Sequence, residues 1–328
     1  MNNFVLTLLR RSSVFAAFCI CATFSSFAQT TLGGVNLGNL PNYHMVFTNG
    51  SVDANWQGAT KGFAGNVAIK GTIATERTSG GVPFAGTIFT NDNTLSAWQG
   101  IVDQNAGQAT ASYNQSTVIN GLNADLENAF TQINSLSATS GYSNVSSTSL
   151  NGLNTQNNIN ETFVINITSG LQVSGQIVIT GDAGDIYILR WDSDANFSNG
   201  YNGQVKFQSG GGIVPAGNLK PTNFINVAGD INSSGGGGNP PLPFPQGPRL
   251  NDGSGSLVNG GADFNGGGFF TGYWLTTGSP DNLDGSNQPF GNTAPLSNGI
   301  FVGGWYSKTN SFSMTSGTSG VYVSPPTI

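Results

Sequence analysis

The chain is poor in residues that carry catalytic or metal chemistry. It has 2 Cys, 1 His and 3 Met in 328 residues, and 8% of its residues are charged, against about 25% in a typical domain. Both cysteines, Cys19 and Cys21, lie in an apolar segment near the start. Once that segment is removed, the chain can form no disulfide and no thiolate metal site.

Residues 1–28 have the three parts of a secretory signal. A basic start ending in Arg10 and Arg11 precedes an apolar run at 14–24, and a small residue, Ala28, ends the segment. The run is too short to span a bilayer, which takes about 20 apolar residues. We expect cleavage near Ala28, a secreted or cell-surface location, and no membrane insertion of the mature chain.

The charge balance excludes an electrostatic attraction to nucleic acid. Loss of Arg10 and Arg11 lowers the net charge from −6 to about −8, and an acidic chain has no reason to bind phosphate backbones. A hydrophobic fraction of 37% with 21 Phe is enough to build a core, so the low charge does not predict disorder.

Short runs rich in Val, Ile, Phe and Tyr recur between clusters of Gly, Asn, Asp and Ser. They predict many short β-strands, which is typical of an all-β sandwich, barrel or solenoid. Residues 186–189 (IYIL) are apolar on both sides, so this strand is expected to be covered on both faces.

One segment, at about 116–136, has helical periodicity instead. Its apolar residues recur at spacings of four, three, four and three: Leu122, Leu126, Ala129, Ile133 and Leu136. This spacing places them on one face of a helix. The segment has almost no basic residue, unlike a membrane-surface helix, so we expect a structural brace on the β core.

A stretch rich in Gly and Pro at 233–248 (SSGGGGNPPLPFPQGP) interrupts the strands. Neither a helix nor a central strand accepts these prolines. Because strands of the same character follow, we interpret the stretch as a surface excursion within a single domain at 29–328.

Residues 37–73 (LGNLPNYHMVFTNGSVDANWQGATKGFAGNVAIKGTI) resemble the opening of the choice-of-anchor A adhesive domain of bacterial surface proteins, including its Gly-x-Val-Ala-x-x-Gly element at 65–71. The resemblance continues through the helix and residues 162–191, and more weakly through 223–226 and 269–302. It implies an adhesin-like binding or structural protein with ligand contacts on its loops.

The same order of segments is also similar to the ice-binding-like (DUF3494) family, with a Gly-Asp-Ala element at 181–183. This resemblance implies a mainly β fold: an irregular right-handed parallel β-helix, or β-solenoid, with one long flanking helix at about 116–136. It makes a secreted ice-binding protein the alternative function. Residues 321–328 show no sorting motif or terminal apolar helix, so we expect free secretion or attachment through another protein.

The sequence lacks a recognisable catalytic constellation. His44 is the only histidine and so the only candidate base for a Ser-His-Asp triad, and no Gly-x-Ser-x-Gly elbow accompanies it. We expect no catalytic residue and no cofactor. A polysaccharide-active β-helix enzyme is a second alternative, because acidic residues surround Arg190 at 182–194.

Asp192, Asp194 and Asn196 are weak candidate calcium ligands, since their alternating oxygens resemble the opening of a calcium loop. Phe197 stands where that loop needs Gly, and Gly203 where it needs Glu. The pattern therefore favours solvated acids in a turn.

Trp56 and Trp98 are candidate ligand platforms, because exposed aromatic rings can stack on sugars. The other tryptophans are flanked by predicted strands and are expected in the core: Trp191, Trp274 and Trp305. Residues 276–277 and 315–318 are the nearest candidates for a flat polar ice-binding face. The expected partner is an unidentified surface ligand, such as a glycan or a host or matrix protein.

Overall fold

The computed structural model describes residues 29–48, 53–56, 62–70, 83–93, 96–192, 204–207, 210–229, 261–263, 269–276, 300–307, 311–314 and 319–321. The predicted signal at 1–28 and the Gly/Pro-rich stretch at 233–248 lie outside these residues. Signal cleavage and the single domain at 29–328 stay predictions.

Parallel strands are the main structural element of the described chain. The largest sheet has 12 strands. They are β3 (Met45–Phe47), β5 (Gly62–Ala64), β6 (Val67–Ile69), β7 (Phe84–Thr90), β8 (Ala109–Ser112), β9 (Val145–Ser146), β11 (Thr162–Ser169), β14 (Ile186–Asp192), β17 (Phe224–Gly229), β19 (Phe269–Thr276), β20 (Ile300–Ser307) and β22 (Ser319–Val321).

Two three-stranded parallel sheets accompany the large one. The second sheet holds β10 (Leu153–Asn154), β13 (Gln176–Gly181) and β16 (Gly212–Gly217), and the third holds β12 (Gln172–Val173), β15 (Gln204–Phe207) and β18 (Gly261–Asp263). Two smaller pairs complete the strands: the antiparallel β1 (Thr30–Leu32) and β2 (Val35–Gly38), and the parallel β4 (Asp53–Trp56) and β21 (Ser311–Met314).

The chain visits the three sheets in turn, as the coils of a solenoid do. After β11 in the large sheet come β12 in the third, β13 in the second and β14 in the large sheet again. Strand β14 then pairs with β11 in continuous register, from Thr162↔Ile186 to Ile167↔Trp191. The mainly β, parallel architecture fits the predicted solenoid, and its right-handed sense stays a prediction.

The N-terminal strands do not begin this stack. Strand β3 pairs with β20 at Trp305↔Met45 and Ser307↔Phe47, and β6 and β7 follow β3. The Trp305 N–H donates to the His44 carbonyl oxygen at 2.8 Å. The start of the chain therefore extends the stack beyond a strand near its end, at a junction that we call the seam.

Two α-helices in the described part of the chain cover the strands. Helix α1 (Ser96–Gln104) closes one end of the stack, where Trp98 and Ile101 join the interior core. Helix α2 (Ser116–Ser135) agrees with the helix predicted at about 116–136. Its buried face packs with residues of the large sheet such as Val164 and Ile188, so β14 is covered on both sides as its apolar sequence predicts.

Arg190 ties the end of α2 to the large sheet. It is 5% exposed. One of its Nη atoms donates to the carbonyl oxygens of Ile133 at 3.2 Å and Leu136 at 3.0 Å, and its Nε donates to Asn166 Oδ1 at 2.8 Å. A positive charge near the C-terminal carbonyls of a helix is favourable, and burial lowers the pKa of this guanidinium.

Aromatic rings stack from strand to strand inside the solenoid. Tyr187 stacks on Phe163 and Phe224, with ring centroids 5.2 and 5.1 Å apart. Trp274 stacks between Trp191 and Trp305 at 5.9 and 6.2 Å. Such pairs add to the burial of large apolar rings, and they hold neighbouring coils in register.

Candidate functional site

The second sheet has a side that points away from the core and carries only small or uncharged residues. In β13, Ile177 and Ile179 are 3% and 0% exposed, whereas Val178 and Thr180 between them are partly exposed. This alternation is what a strand with one buried face requires.

Strand β16 repeats the arrangement in register with β13. Val214 pairs with Val178, and Ala216 pairs with Thr180. Both are partly exposed, while Ile213 is 2% exposed and belongs to the core. Two neighbouring coils therefore present the same small side chains side by side.

Bent strands continue this surface beyond β16. Strands β7, β19 and β20 each contain a glycine with positive φ: Gly86 at 147°, Gly272 at 89° and Gly303 at 141°. Strand β20 pairs with β22 before its glycine and with β3 after it. Each bent strand thus turns a corner, and only glycine adopts such a backbone without strain.

The strand segments before these glycines place further small residues at paired positions. Thr271 pairs with Val302, and Ala64 pairs with Ala85. Phe63 and Phe84 beside the two alanines are buried, so the alanines face outward. We call the outward side of these strands the small-residue face: Ala64, Ala85, Val178, Thr180, Val214, Ala216 and Val302.

Within each set of paired strands, the small-residue face has a regular spacing. Adjacent strands of a sheet lie about 4.8 Å apart, and residues on one side of a strand repeat at about 6.6–6.8 Å. The outward side chains that the structure describes on these strands carry no charge. The third sheet differs in composition, because charged residues stand at paired positions there: Lys206 pairs with Gln172 and with Asp263. Helix α2 covers the outer side of other strands of the large sheet, such as β11 and β14.

The acids at the candidate cluster serve as acceptors in a turn. Asp182 accepts from the backbone N–H groups of Asn157 at 2.9 Å and Asn158 at 2.7 Å. Asp185 accepts from the backbone N–H of Glu161 at 3.0 Å and from the backbone N–H of Asp182, in the same turn, at 3.0 Å. These contacts anchor the loop beside β11 and give both buried carboxylates a structural role.

Within the described residues, no group of three His, Cys, Asp or Glu side chains could hold a metal ion. Asp194 and Asn196 lie outside the described residues, and only the backbone of Asp192 is described. The weak calcium hypothesis stays a prediction for these three residues.

His44 is enclosed at the seam. It is 0% exposed, and its Nδ1 lies 2.9 Å from the Gly303 carbonyl oxygen, which fits an Nδ1–H donor on a neutral ring. Burial lowers the pKa of His44 to about 4, although the hydrogen bond to Gly303 acts in the opposite direction. The imidazole is therefore placed to join two strands and has no open face for a substrate.

The tryptophans are mainly core residues. Trp191, Trp274 and Trp305 are buried, as predicted. Trp98, predicted as a ligand platform, is 0% exposed, and that interpretation is wrong because its indole fills the end of the solenoid under α1. Trp56 lies in β4, and its side chain is outside the described residues.

The predicted polar face is also misplaced in its described part. Thr276 is 0% exposed, and its hydroxyl donates to Ser307 Oγ at 2.9 Å inside the protein. Residues 277 and 315–318 lie outside the described residues. The small-residue face was missed, although the similar alternation of residues 176–181 (QIVITG) and 212–217 (GIVPAG) could have indicated it.

No family model matches the chain, and no curated protein matches it. Solved structures do match. A glycosylated ice-binding protein from an Arctic yeast is 13% identical, with a TM-score of 0.45 over 91% of this chain and 98% of that one. The DUF3494 domain of ice-binding protein 1 from Shewanella frigidimarina is 10% identical, with a TM-score of 0.44 over 90% and 99%.

An ice-binding protein from the Antarctic ascomycete Antarctomyces psychrotrophicus is 11% identical, with a TM-score of 0.37 over 89% of this chain and 99% of that one. At these identities and TM-scores the similarity assigns no function. The three neighbours are of the kind named by the ice-binding-like resemblance, and the choice-of-anchor A resemblance is not shown.

None of the described helices is both long enough and apolar enough to cross a membrane.

Proposed function

We propose that this chain is an exported, non-catalytic binding protein whose small-residue face binds ice. The observation that carries the proposal is the in-register array of Val178 with Val214 and of Thr180 with Ala216 on adjacent parallel strands. A regular array of small side chains can lie against a regular solid over many contacts at once.

The chemistry of the face suits a surface made of water. Charged side chains hold their own hydration shells and resist desolvation. The described outward residues of this face carry no charge. Valine, alanine and threonine lose little side-chain entropy when they are immobilised. The buried aromatic stacks beneath the face keep the coils rigid, so binding needs no rearrangement.

The adhesin hypothesis has less support from the described residues. Trp98 offers no platform for a sugar, because it is fully buried. The acids Asp182 and Asp185 are engaged by backbone N–H groups, which also weakens the polysaccharide-enzyme alternative. Export rests on the signal predicted at 1–28 and is part of the proposal.

The experiment compares one bulky substitution on the face with the same substitution elsewhere. Ala216→Tyr places a large ring in the array, and Gln172→Tyr places it on an exposed strand of the third sheet. We expect Ala216→Tyr to lower inhibition of ice recrystallisation by about tenfold, equivalent to about 1.4 kcal/mol, and Gln172→Tyr to leave it unchanged. Melting temperatures of both variants control for folding.

A purified wild-type mature chain that neither inhibits recrystallisation nor shows thermal hysteresis would overturn the proposal. Equal losses in the two tyrosine variants would place the binding surface elsewhere. If the wild type and Ala216→Tyr both bind a glycan or matrix protein and neither inhibits ice growth, the adhesin hypothesis would be favoured.

A further inference from the structure

Gln29 occupies the position that signal cleavage turns into an N-terminus. Cleavage directly after Ala28 makes Gln29 the first residue of the mature chain, with a free α-amine. The residue is exposed and lies directly before β1. An N-terminal glutamine can close on itself, because its α-amine and its side-chain amide belong to one residue. Such a ring closure needs no second reactant.

The side-chain carbonyl of Gln29 accepts a hydrogen bond across the β1–β2 hairpin. Asn36 Nδ2 lies 3.1 Å from Gln29 Oε1. The backbone sets the orientation of the Asn36 amide, because its Oδ1 accepts from the Gly38 N–H at 2.9 Å. Since Nδ2 can only donate, Gln29 presents its oxygen to it. The carbon bonded to that oxygen is the atom that the α-amine attacks in a ring closure.

Helix α2 holds Asn36 in place. The backbone N–H of Asn36 donates to Gln132 Oε1 at 2.7 Å, and the backbone N–H of Asn39 donates to Asp125 Oδ2 at 2.8 Å. The hairpin is therefore fixed to the helix at two points. A donor that is already aimed at an oxygen stabilises the negative charge that develops there during the attack.

We propose that Gln29 of the mature chain is converted to pyroglutamate and that Asn36 promotes the ring closure. The neutral α-amine attacks the side-chain carbonyl carbon and forms the new C–N bond of a five-membered lactam. The bond from that carbon to Nε2 breaks, and Nε2 leaves as ammonia with the proton that the α-nitrogen gives up. The oxygen remains on the ring. The inference rests on the predicted cleavage after Ala28 and is independent of ice binding.

The lactam protects the first strand of the mature chain. It removes the free α-amine and its positive charge, so an aminopeptidase that requires this amine cannot begin. Thr30, the next residue, pairs with Gly38, and Leu32 at the other end of β1 is 4% exposed and belongs to the core that α2 covers. Fraying and proteolysis concentrate at chain ends, and a blocked end keeps the hairpin on the helix intact.

The test uses the protein exported by its own cell and a chain released from an N-terminal tag by a protease that cuts directly before Gln29. Mass spectrometry of the N-terminal peptide follows the loss of one ammonia. We expect the exported protein to be closed and resistant to Edman degradation and to aminopeptidase. The released chain should start open and close with time. Gln29→Asn is the control that stays open, because its ring would be four-membered.

The role of Asn36 is measured on the released chain. We expect Asn36→Leu, which removes the donor, to close about fivefold more slowly than the wild type in native buffer, equivalent to about 1 kcal/mol. The wild type should slow by a similar factor in guanidinium chloride, where the hairpin is unfolded. This second comparison needs no variant, so it decides the role of the fold even when Asn36→Leu has a lowered melting temperature.

An exported chain that begins at Gln29 with a free amine, or that begins at another residue, overturns the modification. Equal closure rates of the wild type in native buffer and in guanidinium chloride overturn the role of the folded hairpin, and an unchanged rate in a folded Asn36→Leu overturns that of Asn36. Aminopeptidase trimming of the exported wild type as fast as of Gln29→Asn overturns the protection.

Discussion

His44 is a titratable side chain held at a strand junction without access to solvent. In the folded chain its pKa is lowered from 6.5 to about 4, because a charged imidazolium would be buried beside Phe63 in the core. The unfolded chain has no such burial. Protonation therefore favours unfolding between these two pKa values.

The first prediction follows from the lower pKa of His44 in the folded state. The contribution of His44 to stability is complete above about pH 6.5, is lost as the pH falls towards 4, and then levels off. The total change is about 3 kcal/mol for a shift of this size. Urea unfolding of the wild type and of His44→Asn, which retains a side-chain donor for Gly303, measures it at pH 7 and pH 4.5.

The free energy of unfolding of His44→Asn should depend less on pH than that of the wild type, because the variant lacks the imidazole. The carboxylates are common to both chains, so their contributions cancel in the comparison. Identical slopes in the two proteins would mean that the imidazole is already solvated in the folded state.

At the residue scale, the sequence contains no local signal for burial. Trp98 and Trp56 looked alike as isolated aromatic residues, and only the position of α1 over the end of the stack buries Trp98. Val178 and Val214 looked like ordinary strand residues. Their outward orientation depends on which neighbours the coils bring, and no single strand contains that information.

Helix α2 is the element whose prediction was closest, because its signal is local. The four-and-three spacing identifies the face that contains Leu122, Leu126 and Ile133, and all three are buried. Ile119 and Phe130 widen the buried face. They were missed because the predicted stripe followed a single line along the helix.

The second prediction tests α2 as a brace. Leu126 is 0% exposed, and Leu126→Ala leaves a cavity between the helix and the large sheet. We expect a loss of roughly 2–5 kcal/mol in the free energy of unfolding. Asn120→Ala, on the exposed side of the same helix, should change it by less than about 0.5 kcal/mol.

Chemical denaturation followed by circular dichroism measures both variants. A Leu126→Ala chain with wild-type stability would show that α2 is only loosely attached. Loss of ice binding without loss of stability in that variant would move the binding surface to the helix.

At the scale of the whole molecule, the glycine corners hold two surfaces together. Gly303 has a φ of 141°, and a Cβ at this position would clash with the Gly272 carbonyl oxygen of the adjacent coil. The same coil carries Val302 on the small-residue face and contacts His44 at the seam. A change here should therefore affect both stability and binding.

The third prediction is that Gly303→Ala lowers the free energy of unfolding by more than about 2 kcal/mol and also weakens the proposed binding to ice. Gly141→Ala is the matched control, because Gly141 has a φ of 85° and a Cβ added there would have no atom within 4 Å. It carries only the backbone strain of about 1–2 kcal/mol. Equal costs for the two variants, measured by urea unfolding, would argue against close stacking at the corner.

The mainly β architecture could be predicted from the recurrence of short strands, but the order of the coils could not. Strand β3 meets β20 through pairs such as Trp305↔Met45, and their sequences contain no mark of this partnership. Parallel pairing over such a distance leaves no periodic pattern in the chain. The family resemblance supplied the expected solenoid, and only the structure shows where its N-terminal strands lie.

The seam also constrains when the molecule can finish folding. Met45 leaves the ribosome long before Trp305, its partner in the stack. Strand β3 therefore cannot pair until β20 has been synthesised. Contacts between residues so far apart in sequence form slowly, because a long loop must close first. The N-terminal strands therefore stay undocked until the last coils are made, and an undocked segment suits the export that residues 1–28 predict.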